Sequence, residues 1–421
     1  MTGPRTHRLA NGVQVICDPA PGYETLALSV VAGRGARFED EARCGWSHLL
    51  EHMVFKGAGG RSAREIVEVI EAEGGQINAA TGHERTSFQI RALAGGLPLA
   101  MGVTADLILR PAFDAQDLAR EKLVIAQEIA EAADTPDDQV FELAQAAAFP
   151  DQPLGRPILG FPAALAPADP ASLEVWREAV YAPDRLVVSA SGAVDEDELL
   201  KLAERLFGAG PARNPLSAAP ARFGGGAAFE RRRLEQAHVV FLLPGPSLRD
   251  PDYWAFRVFA EALGGGMSSR LFQEVREARG LAYAIDAYAE GWSDVGVLGV
   301  YAGCAPADAG ALAQAVATEI RSLAATVGAA ELARSKAQLK ASLFMGRESL
   351  TNRAEQSAAQ MLVFGRIVPT ADFADWIDRV DAAAFARVAQ AIAGADRAAI
   401  AVLGPRAAAD AAKRFQSTLA D

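Results

Sequence analysis

The feature that most constrains this chain is that it repeats itself. The apolar run Leu26-Ala27-Leu28-Ser29-Val30-Val31-Ala32-Gly33 returns as Val239-Val240-Phe241-Leu242-Leu243-Pro244-Gly245, and 245 − 33 is 212. Leu186-Val187-Val188-Ser189-Ala190-Ser191-Gly192 returns as Ala398-Ala399-Ile400-Ala401-Val402-Leu403-Gly404, and 404 − 192 is again 212. Between them, Asp117-Leu118-Ala119-Arg120-Glu121-Lys122 is echoed by Glu331-Leu332-Ala333-Arg334-Ser335-Lys336, at 331 − 117 = 214. Three echoes in order, at nearly one offset, point to two copies of one fold. Length agrees, because 421 residues exceed what a single hydrophobic core usually organises. Residues 1–210 are expected to form the first domain and 228–421 the second. The Pro-, Gly- and Ala-rich stretch 211–227 reads as an exposed linker.

Each copy opens on strand-like segments (13–16 and 26–32; 239–243) and then alternates helices with further strands. Residues 65–73, 115–133 and 312–323 have helical composition, whereas 87–91 and 295–301 read as strands. Strands and helices segregated in this way predict an α+β layer, a sheet backed by helices. No apolar run reaches the eighteen or so residues of a membrane span, so no membrane partner is expected. The first residues lack the apolar core of a secretory signal. Cys17, Cys44 and Cys304 are odd in number and far apart, which reads as reduced thiols in a cytoplasmic protein. A net charge of −12 lacks the basic footprint of a nucleic-acid binder.

The chemistry concentrates in His48-Leu49-Leu50-Glu51-His52. In a helix, residues four apart stand one turn above the other on one face, so both imidazoles can reach a single metal ion. Glu51, one residue before the second histidine, is placed to act on a water at that metal. A catalytic zinc takes three protein ligands and a water, so a third ligand is required. His7, His83 and His238 have local explanations as a leading segment, a turn and the start of an apolar strand. The acidic, helix-periodic stretch 117–131 is a better source: Glu121 and Glu128 are seven apart on one stripe, flanked by Leu118, Val124, Ile125 and Ile129. At the repeat offsets, His48 falls on Ala260 or Ala262 and His52 on Gly264 or Gly266, while Glu121 falls on Ser335 and Glu128 on Ser342. The second copy keeps the scaffold and loses every proposed metal residue, as a functional site should and a fold requirement should not.

The stretch from His48 to Gly57 resembles the inverted zinc motif of the pitrilysin-type metallopeptidases, with closest similarity to mitochondrial processing peptidase β-subunits and their bacterial relatives. The resemblance implies Glu128 as the third ligand and Glu121 as its support. It likens the strand Gly74 to Thr81 to the one along which family substrates lie, and implies Asn78, Ala79 and Ala80 as substrate-binding residues. A peptide would join that edge as an added strand. From the second domain, Arg276 and Tyr283 match the residues that complete the family site. Phe88 stands where many relatives have Tyr. The implied fold is two homologous domains, each a mostly antiparallel sheet backed by helices, facing each other across a cavity. The implied activity is that of a zinc endopeptidase with one Zn2+ per chain. Glu51 would be its general base on a zinc-bound water, and Tyr283, with Arg276 beside it, the donor to the oxyanion. Peptides or unfolded segments are the expected substrates and a homodimer the expected assembly. The alternative is a non-catalytic peptide-binding or assembly subunit of the same family.

Overall fold

The repeated apolar runs become the central strands of two sheets. The computed structural model describes residues 3–210 and 216–420, so 211–215 of the expected linker lie outside the described residues. In the first half the strands are β1 (Arg5–Arg8), β2 (Gln14–Pro19), β3 (Thr25–Ala32), the short β4 (Gly57–Ala58) and β5 (Arg61–Ser62), β6 (Gln76–Thr81), β7 (Thr86–Leu93) and β8 (Leu186–Gly192). In the second they are β9 (Gly226–Arg231), β10 (Ala237–Gly245), β11 (Ala284–Gly291), β12 (Gly296–Cys304) and β13 (Ala399–Gly404). Among the described residues, the first large sheet runs β1-β2-β8-β3-β7-β6 and the second β11-β12-β10-β13-β9. Removing β1 leaves the same order in both. Each of these sheets has one parallel pair among the described residues, β2 with β8 and β13 with β9, and its other pairs are antiparallel. The duplication is therefore one of topology as well as of sequence. It slips by one residue: Leu26 pairs with Gly192, whereas at the 212 offset His238 pairs with Leu403 and not Gly404.

Both faces of these central strands are covered, which is why they read as unbroken apolar runs rather than alternating ones. Leu26, Leu28, Val30 and Ala32 face one core with Leu49, Leu50 and Met53, and Val31 faces another with Ile16, Val187, Ala358 and Met361. The helices of the first half that bear on the site are α1 (Trp46–Val54), α2 (Ala63–Ala72), α3 (Leu97–Leu109), α4 (Ala115–Asp134) and α5 (Pro136–Ala148).

The compact units are not the linear halves expected from the sequence. One comprises Met1–Ala130, Pro157–Ala219 and Met345–Pro369; the other comprises Glu131–Arg156, Pro220–Phe344 and Thr370–Asp421. The boundary at 228 also moves, since β9 begins at Gly226. A helix from each half thus belongs with the sheet of the other. α5 buries Val140, Ala144 and Ala148 against Val240, Leu242, Ala399 and Ala401. The helix Leu350–Phe364 buries Ala354, Ser357, Ala358 and Met361, and packs on β3 and β8. The two stripes are themselves copies, since 140 + 214 = 354 and 144 + 214 = 358. Periodicity marks such a stripe but does not name the sheet that covers it.

The echo of Asp117–Lys122 in Glu331–Lys336 has a structural cause in its lysines. Lys122 Nζ donates to the carbonyls of Ala166 and Ala168, 2.8 and 2.6 Å away, just past the helix Pro162–Leu165. Lys336 Nζ donates to those of Asp378 and Val380, at 2.7 and 2.8 Å, at the end of the helix Thr370–Asp378. A cation satisfying the last carbonyls of a helix is a scaffold device, and both copies keep it.

Candidate metal centre

α1 starts where only glycine fits. Gly45 has φ +92°, and a side chain there would press on the Leu159 carbonyl oxygen, 2.6 Å from the Cβ position. The first amides of the helix are satisfied by Glu39, buried below it, which accepts from the N–H of Gly45 (2.7 Å) and of Ser47 (2.6 Å). Trp46 Nε1 donates to the Ala164 carbonyl at 2.9 Å. Leu49, Leu50, Met53 and Val54 fill the core, which leaves His48, Glu51 and His52 together on the half-buried face.

The two imidazoles stand with ring centres 4.6 Å apart. From α4, Glu128 Oε2 lies 3.9 Å from His48 Nε2 and 3.5 Å from His52 Nε2. One ligand atom from each of His48, His52 and Glu128 falls within 4.8 Å of the others. Metal–ligand bonds of about 2.0–2.1 Å at tetrahedral angles would set donor atoms about 3.3 Å apart. The two imidazole–carboxylate separations, 3.5 and 3.9 Å, lie close to that spacing, and two nitrogens with one carboxylate oxygen suit zinc as a donor set. Burial, and secondarily the neighbouring charge of His52, lowers the His48 pKa to about 4, so its ring is neutral and its lone pair available at neutral pH.

Glu121, two turns earlier on α4, is buried and has another task. Its Oε2 accepts from His52 Nδ1 at 3.1 Å, and its Oε1 pairs with Lys56 Nζ at 2.7 Å. With Nδ1 donating, the Nε2 lone pair of His52 is turned toward Glu128. His48 Nδ1 is buried without a hydrogen-bond partner, so that ring is held by packing.

Glu51 Oε2 accepts from the Thr81 hydroxyl at 2.5 Å. Burial raises the Glu51 pKa, against which the Thr81 bond and the charge of His52 act. Asn78, Ala79 and Ala80 lie on β6, the last strand of its sheet, so its outer edge has no partner strand in the sheet. A cavity of about 800 Å³ lies against this strand, bordered by Glu51, His52, Phe55, Val67, Asn78 and Arg91 among others. Phe88 is a core residue, edge-to-face with Tyr181 at 5.6 Å.

Arg276 and Tyr283 belong to the second unit. Arg276 sits in a π-helical segment, Phe272–Ala278, and Gly280, at φ +61°, ends it before β11. Its guanidinium lies 4.5 Å from the Phe272 ring centre and 5.5 Å from that of Tyr283, whose side chain is 79% exposed. They share no helical face, but stack on one another.

Sequence reasoning gave no role to Lys56, Thr81 or Glu39. Lys56 lies four residues past His52, but its partner is 121 − 56 = 65 residues away. In the sequence Thr81 is the end of a strand, 81 − 51 = 30 residues from the carboxylate it meets. Nothing in one sequence pairs such residues with carboxylates on other elements. None of Cys17, Cys44 and Cys304 is in a disulfide, and all three are buried. No helix among the described residues is long and apolar enough to cross a membrane.

Residues 14–161 match the family described as insulinase (peptidase family M16), and residues 168–339 match the peptidase M16 inactive domain. A relative from Rickettsia felis, named an uncharacterized zinc protease, is 34% identical over 89% of this chain and 91% of its own. A protease from Helicobacter pylori has a similar fold, with a TM-score of 0.88 at 20% identity, over 96% of this chain and 99% of that one. So does a peptidase M16 inactive domain from Pseudomonas fluorescens, with a TM-score of 0.86 at 19% identity over 96% and 98%.

Proposed function

The chain belongs to peptidase family M16, and we propose that it is a zinc-dependent endopeptidase acting on extended or unfolded peptide segments. The observation that carries this is the convergence of His48, His52 and Glu128 within 4.8 Å beside a carboxylate, Glu51, that is not one of the three. A zinc ion held by His48, His52 and Glu128 would supply Lewis acidity and lower the pKa of a water toward neutrality. Glu51, tethered through Oε2, would use Oε1 to take a proton from the attacking water and return it to the leaving amine. The open edge of β6 takes the substrate main chain as an added strand, with Asn78 to Ala80 alongside. Burial raises the proton affinity of Glu51, the direction that favours its taking up a proton. The roles of Arg276 and Tyr283 rest on the family resemblance alone, Tyr283 as the hydroxyl donor to the oxyanion.

A second reading, a non-catalytic subunit, is favoured by the match to an inactive domain. That match covers residues 168–339, the half in which the repeat has lost its ligands, whereas His48, Glu51, His52, Glu121 and Glu128 all fall within 14–161. Zinc content and cleavage of a quenched peptide by wild type and Glu51→Gln separate the two. A peptidase binds one zinc per chain, cleaves, and loses cleavage in Glu51→Gln while keeping the metal. Zinc without cleavage in the wild type means a binding subunit.

A further inference from the structure

Resting on the peptidase reading of the same site, we propose that Thr81 is the positioning residue for the general base. Its hydroxyl fixes the Glu51 carboxylate in the orientation from which proton transfer occurs. Thr81 ends β6 and pairs across the hairpin with Thr86. Its Oγ1 has three acceptors within reach: Glu51 Oε2 at 2.5 Å, and the Ser47 carbonyl and Thr86 Oγ1 at 3.5 Å each. One hydroxyl has one proton to give, and the charged, nearest acceptor takes it. Thr86, buried beside it, is then free to donate to Thr81 Oγ1. The tether is stiffer than what it holds. Thr81 is β-branched and sits in a strand, whereas Glu51 hangs from its helix on three rotatable bonds.

The duplication supplies an independent observation. The hairpin of β6 and β7 closes on Thr81↔Thr86 around residues 82–85, and that of β11 and β12 closes on Gly291↔Gly296 around 292–295. At 51 + 212 = 263, Glu51 falls on Leu263, which is fully buried. The copy without the base therefore lacks a hydroxyl at either closing position. Hydroxyls needed only to close the hairpin would recur, as Lys122 and Lys336 do.

The test is Thr81→Val, which keeps the shape and removes the hydroxyl, and Thr81→Ser, which keeps the hydroxyl, each in the zinc-loaded full chain. The expected result is a kcat about 10- to 100-fold lower in Thr81→Val, with KM and zinc content unchanged, and recovery of most of the loss in Thr81→Ser. Crystal structures of the same proteins give a readout independent of turnover: Glu51 in one rotamer in wild type and Thr81→Ser, in several in Thr81→Val. Equal losses in Val and Ser, or a single Glu51 rotamer in Thr81→Val, overturn the proposal. A wild type that cleaves nothing sinks the peptidase reading, while the rotamer comparison still decides the role of Thr81.

Discussion

Replacing Glu121 by Gln tests whether the support of His52 governs metal affinity. The carboxylate accepts from two donors, His52 Nδ1 at 3.1 Å and Lys56 Nζ at 2.7 Å. An amide of the same shape can accept from only one of them and turns an NH2 toward the other. The side chain is buried, so water does not readily make good the loss, and one charge-assisted bond is forfeited, about 1.5–3 kcal/mol. If Lys56 keeps the oxygen, His52 faces a donor, the opposite tautomer is favoured, and Nε2 becomes an N–H pointing at Glu128. Restoring the ligating tautomer then costs about 1.4–2.7 kcal/mol, a 10- to 100-fold weaker zinc complex. Competition against a chromophoric zinc chelator reads this directly, with no dependence on turnover. Circular dichroism and melting of the metal-free proteins control for misfolding. A Glu121→Gln protein that folds and holds zinc within about twofold of wild type would falsify the assignment of Glu121 as the support of His52.

The paired lysines give a stability prediction. Lys122→Met and Lys336→Met should each destabilise the metal-free protein by about 1–2 kcal/mol in urea unfolding, by similar amounts, because each unpairs two carbonyls past a helix end. Zinc affinity should be unmoved by either, and a large metal effect in Lys122→Met would count against the separation of scaffold from site drawn here. His83 gives a pH prediction: burial, and secondarily the charge of Arg37, lowers its pKa from 6.5 to about 4. Below pH 6.5 the unfolded chain takes up a proton that the folded chain refuses. Its contribution is therefore complete above 6.5 and is lost as the pH falls toward 4, a change of at most about 3 kcal/mol. His83→Gln should lose less stability than wild type between pH 7 and pH 4.5, and equal losses in urea melts would refute the assignment.

The sequence by itself determined what depends on local pattern. Leu26 to Ala32 and Leu186 to Gly192 had to be strands, and their recurrence 212 residues on had to mean a second sheet of the same kind. The four-residue spacing of His48 and His52 put both rings on one face of α1, because the helical repeat allows nothing else. Resemblance then gave Glu121 and Glu128 distinct tasks that periodicity could not, since both lie on one stripe of α4. Only the folded chain brings that stripe to the histidines across 128 − 52 = 76 residues, and packing decides which carboxylate meets Nε2 and which Nδ1. The same holds for Thr81 beneath Glu51 and for the exchange of α5 and the helix Leu350–Phe364 between sheets. A sequence records which side of an element is apolar and which side carries charge. Which partner covers that side is settled by non-local contacts, whose energies are earned only when distant segments have already met.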